Sequence, residues 1–205
     1  MIAAFTGASR FLSNFWPVNV VLDGMVYPSV ENAYQAAKTL DVQARRSFQT
    51  ISASEAKHLG KKLPLRSDWE TVKLAVMEGL LRQKFADPDL RERLLATKDQ
   101  LLEEGNHWGD TFWGVCRGQG HNHLGKLLML IRDEIRLDLE QQDMARQLDS
   151  GAEHAAGYGC ESAVFEQLQA IERRLYDPSA LTAADRRDLA NQLHELLRQF
   201  EPRSP

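Results

Sequence analysis

Between residues 29 and 88 the chain carries one helix-starting signal after another, which leaves room for little other than helices. Ser29 stands as an N-cap ahead of a helix running to about Leu40, and Asp41 can open a short one near Phe48. Ser52 with Glu55 has capping-box spacing before a helix through Lys61; Ser67 with Glu70 repeats it before a long helix reaching Phe85. Asp87-Pro88 supplies a cap and a first-turn proline for the next, which ends near Thr97. Farther on, Leu124, Leu127, Leu128, Ile131 and Ile135 form one stripe of a helix over Leu124–Leu139. Strand patterning is confined to the start: Val18, Val20 and Leu22 alternate, Asp23-Gly24 is a turn signal, and Met25-Val26-Tyr27 can return as the second arm of a hairpin.

The expected fold class is therefore α+β, predominantly α-helical, with a short N-terminal β-hairpin. Residues 1–140 read as one domain. Residues 141–160, with the run GAEHAAGYG, read as a linker, and 161–205 as a C-terminal helical hairpin split at Asp177-Pro178. At 205 residues with 43% hydrophobic content, a core large enough to fold without disulfides or structural metal is available. Cys116 and Cys160 lie far apart and form no CxxC unit, which suits a reducing compartment. With no signal-peptide pattern and no long apolar run, a cytoplasmic protein without membrane contact is expected. Residues 1–132 sum to +3 and residues 133–205 to −7. A mildly basic front part can attract a phosphate-bearing ligand, but it is no basic face for tight, sequence-independent DNA binding.

Four constellations can carry chemistry. In SVENAYQAAK, residues 29–38, a helix stacks Glu31, Tyr34 or Gln35, and Lys38 on one face, with Glu31 in the favourable first turn. Taken alone, the set also fits the solvent-facing side of an amphipathic helix. GNHWGDTFWGVCRGQGHNHLG, residues 105–125, is the most unusual segment. Its glycines let backbone approach a ligand, Trp108 and Trp113 offer faces to a planar base, and Asn106, Asp110 and Asn122 offer polar groups. The opening SRFLSNFWP adds Asn14 as an amide and Phe15 as a stacking ring, although Phe11, Phe15 and Trp16 also suit a core. EAKHLGKK, residues 55–62, reads more readily as a solvated helix face than as a phosphate contact. The histidines His107, His121 and His123 lack the companions of a zinc site, and neither a P-loop nor a dinucleotide fingerprint is present. No metal and no cofactor are expected.

FLSNFWP, VYPSVENAYQAAK, SEAKHLGKK followed by Trp69, the helix ending LLRQKF, and WGDTFWGVCRGQGHNHLGKLLMLIR together resemble the NADAR superfamily of YbiA-like proteins, in order and spacing, over residues 5–136. The resemblance implies a compact, largely helical domain that hydrolyses N-glycosidic bonds to ribose. The implied substrates are phosphoribosylamino-pyrimidine intermediates of riboflavin synthesis, or ADP-ribose on guanine in nucleic acid. Carried over motif by motif, it implies catalytic roles for Glu31, Lys38 and Asp110. It also implies substrate contacts from Asn14, Tyr34, Trp108, Trp113 and Arg132, beside Phe15, Asn106 and Asn122 read from the residues themselves. Asn32 stands where many relatives carry a histidine. The competing reading is a non-catalytic ADP-ribose or nucleotide sensor, which has no need of both Glu31 and Lys38. A protein partner, or a dimer formed through the C-terminal hairpin, is the expected use of the tail.

Overall fold

Asp23 and Gly24 both adopt positive φ, 49° and 76°, the conformation a two-residue hairpin turn needs to match the strand twist. They join β1 (Pro17–Leu22) to β2 (Met25–Ser29), paired antiparallel with Val20 opposite Tyr27. This description comes from a computed structural model, which describes residues 1–157 together with Ala170, Asp188 and Gln192. Met1–Arg136 form one compact unit and Leu137–Pro205 a second.

Helices follow where the caps place them. Ser29 caps α1 (Val30–Ala36) by accepting the Asn32 N–H, and Asp41 caps α2 (Val42–Arg46). Ser52 and Glu55 form the full capping box of α3 (Ala53–Gly60), and the Asp87 carboxylate caps α5 (Pro88–Leu95). The longer α4 (Trp69–Lys84) differs from expectation at its start. Its N-cap is Asp68 rather than Ser67, and that carboxylate binds the Arg66 guanidinium at 2.6 and 2.8 Å instead of the helix N–H groups. The final helix, α6 (His123–Gly157), buries Leu124, Leu128 and Ile131 from the expected stripe. It runs well past Leu139, so the segment expected as a linker is helical as far as Gly157. Alanine, the best helix former, offsets the cost of the glycines there. The helical hairpin expected over 161–205 lies outside the described residues. The fold is α+β and mostly helical, and among the described residues no helix is long and apolar enough to cross a membrane.

What positions the site is α1. It packs against α3, α4 and the hairpin, and all seven of its residues are buried. It is not the half-exposed amphipathic helix that its acid and base alone would suggest. Buried polar groups need partners. Asn32 donates to the carbonyls of Phe48 and Ile51 at 2.9 and 2.8 Å, clipping α1 to the turn before α3. Gln35 donates to Glu31 at 2.8 Å, while its own Oε1 is buried without a partner. Glu31, Tyr34 and Gln35 are the polar groups this buried helix presents to a cavity.

Candidate active site

A cleft of about 440 Å³ opens over α1. Of the eleven side chains singled out by sequence, eight line it: Glu31, Lys38, Asp110, Asn14, Phe15, Tyr34, Trp108 and Trp113. They come from three separate stretches of chain. Glu31 and Tyr34 stand on α1, and Lys38 follows it. The helix ends at Ala36, not Leu40, and Lys38 sits in a tightened turn whose N–H donates to the Gln35 carbonyl at 3.3 Å. The Lys38 carbonyl accepts from the Arg66 N–H at 2.8 Å, so its backbone is held on both sides. Asn14 and Phe15 arrive on the segment before β1. Their position is tied to α1 by the Glu31 N–H, which donates to the Asn14 carbonyl at 3.0 Å.

The glycine-rich loop is ordered by its own polar side chains. The Asp110 carboxylate accepts the N–H groups of Phe112 and Trp113 at 3.2 and 2.9 Å, turning the chain so that Trp113 meets Tyr34 edge-on at 5.4 Å. Tyr34 also packs on Trp69 at 5.1 Å. Trp108, by contrast, is 55% exposed at the rim, an uncommon state for so large an apolar ring.

Three expected substrate contacts fall outside the cleft lining. Asn106 spans the loop instead, donating to the carbonyls of Asp110 (2.7 Å) and Val115 (3.2 Å) and accepting the Asp110 N–H at 3.0 Å. It belongs to β3 (Gly105–Asn106), which pairs in parallel with β4 (Val115–Cys116), a small ladder inside a segment expected to be irregular. Asn122 donates to the Leu102 carbonyl and accepts the Glu104 N–H, at 2.9 and 3.1 Å. Arg132, buried on α6, donates to the Thr97 hydroxyl and the Gln100 carbonyl at 3.0 and 2.9 Å. Asn106 and Asn122 fix loop backbone, and Arg132 ties α6 to Thr97 and Gln100 with its Nε left without a hydrogen-bond partner.

The fold also brings in Gln35, the alternative to Tyr34, and Lys57 and Lys61 from the segment expected as a solvated face, together with Lys73 and Glu104, which the sequence did not single out. The four-residue spacing of Lys57 and Lys61 on a helix was the available signal for those two. The Lys57 ammonium lies 5.6 Å from the Phe15 ring centre and 5.1 Å from that of Trp108. Glu104, in the plain run LLEEG, carried no signal at all.

Burial dominates the electrostatics. Loss of water raises the Glu31 carboxyl above its usual range; the Gln35 hydrogen bond and the charges of Lys57 and Lys38 oppose that only in part. The same cause lowers Lys38, against the pull of Glu31. Tyr34 is held protonated, again by burial first. Glu104 is pushed up to about 7 by burial. An acid and an amine each moved toward neutrality within one aromatic-walled cleft form an arrangement suited to proton transfer and nucleophilic attack at neutral pH.

Residues 4–136 match the family model described as the NADAR domain. A riboflavin biosynthesis protein of Vibrio vulnificus is 37% identical over 131 residues, covering 62% of this chain and 35% of that protein. The N-glycosidase YbiA of Escherichia coli is 39% identical over 133 residues, 62% of this chain and 81% of YbiA. The NMR structure of E. coli YbiA superposes with a TM-score of 0.60 at 34% identity, covering 67% of this chain and 84% of that one. Since the family match runs from the segment before β1 into α6 and takes in the whole cleft, the chain belongs to the NADAR domain family.

Proposed function

We propose that this protein is an N-glycosidase that hydrolyses the bond between ribose C1′ and an exocyclic amine. The observation that carries the reading is the pairing of Glu31 and Lys38 in one cleft, with burial raising the acid and lowering the amine. A ribosylamine opens to an imine at C1′, and a neutral lysine can attack that carbon. Lys38 Nζ bonds to C1′, a proton reaches the nitrogen, and the amine departs with the C1′–N electron pair. Lys38 then holds the sugar as an iminium until water adds to C1′ and frees it. Glu31 moves the protons between water and nitrogen. A charged Glu31 would hold Lys38 protonated; because burial favours the neutral acid, the two shifts reinforce each other. Asp110 lines the same cleft, and with Oδ1 taken by the Phe112 and Trp113 N–H groups, Oδ2 is the atom to orient ribose hydroxyls or face positive charge at C1′. Trp108, Phe15 and Trp113 supply faces for the departing base.

The substrate favoured here is a phosphoribosylamino-pyrimidine. A riboflavin biosynthesis protein among the relatives supports that choice; Lys57 and Lys61, which line the cleft, suit the phosphate of either substrate. ADP-ribosylated guanine carries the same C1′–amine linkage and is the second substrate to offer. Both are presented to the purified protein beside Glu31→Gln and Lys38→Ala. Release of ribose 5-phosphate from the first, lost in both variants, is the expected result, together with a borohydride-trapped mass adduct on Lys38. Release of ADP-ribose alone would shift the substrate to nucleic acid. Binding without turnover of either would replace the enzyme with a nucleotide sensor.

A further inference from the structure

Glu104 has no part in the mechanism so far, yet the fold goes to some length to place it. Its N–H is fixed by the Asn122 side chain, and its carbonyl accepts the Val115 N–H at 2.9 Å. Gly114 leaves the space it occupies: a Cβ at 114 would overlap the Glu104 carbonyl oxygen and come within 3.1 Å of Glu104 Cγ. The carboxyl thus held lines the cleft, and its Oε2 is buried without a hydrogen-bond partner. An unpaired buried oxygen is costly for a structural residue, and is what a group awaiting a ligand shows. The charged groups that act on it come from every side: Lys57 on α3, Asp110 in the loop, Glu31 on α1 and Lys84 on α4. Lys84 is fully buried, and its ammonium donates to the Ser13 carbonyl at 2.7 Å, beside the Asn14–Phe15 wall.

Resting on the N-glycosidase reading, we propose that Glu104 is a second catalytic carboxyl, the acid that protonates the departing amine while Glu31 accepts the proton of the incoming water. Glu31 spends its proton on the ring oxygen when the sugar opens and is then a base for the incoming water, so a second acid serves the amine between those two steps. Glu31 gives its proton to the ring oxygen as the sugar opens, and Lys38 Nζ bonds to C1′ and loses a proton to solvent. The Glu104 proton moves to the exocyclic nitrogen as the C1′–N bond breaks; the electron pair leaves with the amine, and Lys38 keeps C1′ as the iminium. Water then gives its oxygen to C1′ and a proton to the ionised Glu31. The C1′–Nζ bond breaks with its electron pair returning to Lys38, and solvent returns a proton to Glu104, so one water is consumed and both acids are restored. Burial keeps Glu104 protonated up to about 7, in range for this task.

The test compares wild type with Glu104→Gln on two 5-phosphoribosyl N-glycosides, of aniline and of 4-nitroaniline. The aniline needs a proton to leave; the nitroaniline leaves far more easily. Glu104→Gln is expected to lose about 10²–10⁴-fold in kcat on the first, with KM little changed and one ionisation gone from the pH profile, and to lose much less on the second. Equal losses on both, with the wild-type pH profile retained, would overturn the role and make Glu104 structural. Should the glutamine variant not fold, Glu104→Asp keeps an acid at shorter reach and is expected to slow the aniline glycoside more than the nitroaniline one; equal slowing of both would overturn the role. Wild type that binds ribose 5-phosphate but turns over neither glycoside would remove the N-glycosidase reading together with this role, whereas active wild type with an indifferent Glu104→Gln removes the role alone.

Discussion

Glu104 and Lys84 are ionisable side chains that burial has driven toward one another, each to about 7 from ordinary values of 4.5 and 10.5. The consequence for stability has opposite sign in the two. The folded state holds the Glu104 proton more tightly than the unfolded chain does. Its contribution is therefore complete below about pH 4.5 and lost as pH rises through about 7. Folded Lys84 holds its proton less tightly, so its penalty is complete below about 7 and relieved between there and about 10.5. In the window from 4.5 to 7 only the carboxyl has slope. Glu104→Gln is expected to flatten the fall in unfolding free energy across that window by on the order of 2 kcal/mol, leaving a remainder from Glu31, whose pKa is also raised. Urea unfolding at several pH values measures it, and parallel curves for the two proteins would show that Glu104 does not titrate there. At this scale the sequence was legible where several motifs pointed the same way. Glu31, Lys38 and Asp110 were candidates by pattern, were given roles only through the family resemblance, and lie in one cleft. The amides Asn106 and Asn122 did not sort themselves, since an asparagine serves a loop backbone and a ribose hydroxyl with the same groups; only the fold shows which partner is nearer.

Among elements, the important contact is that of α3 against α1. Gly60, the last residue of α3, lies against Gln35, and a Cβ at 60 would overlap Gln35 Oε1. Gln35 is the residue that holds Glu31. Alanine is the better helix former by about 1 kcal/mol, so propensity alone predicts that Gly60→Ala stabilises. The structure predicts the reverse for function: a displaced Gln35 frees Glu31, and kcat is expected to fall about tenfold or more, because small misplacements at a reacting centre are expensive. Steady-state kinetics and thermal unfolding on the same preparation separate the two effects; unchanged kcat with a raised Tm would mean that Gln35 moves aside without consequence. The helices themselves were legible because capping chemistry is local: Ser29, Asp41, Ser52 and Asp87 each cap as their neighbours dictate. The exceptions came from competition that spacing does not reveal. Arg66 takes the Asp68 carboxylate from α4, and α1 stops at Ala36 because the chain must turn to bring Lys38 back over the cleft.

For the whole molecule, the question is what the residues after Arg136 contribute. The cleft, its supporting amides and the buried stripe of α6 as far as Ile131 all lie within Met1–Arg136, and the family match ends at residue 136. Arg132 and Arg136 tie α6 to the segment after α5, through the Gln100 carbonyl and the Asp99 carboxylate respectively. A chain cut after Glu140 keeps both ties and loses only α6 turns beyond that unit. We expect residues 1–140 to fold cooperatively and to retain kcat/KM within about threefold, a difference of less than 1 kcal/mol in the barrier. The acidic tail removed with residues 141–205 lies beyond the mildly basic part of the chain that holds the cleft, so any change should appear in the salt dependence of KM for a phosphate-bearing substrate. Size-exclusion chromatography of both forms then assigns the tail: a dimer that becomes a monomer on truncation, with turnover intact, makes it an assembly element. A fragment that folds but loses turnover would mean that residues beyond 140 complete the site, and the domain boundary would have to move with them.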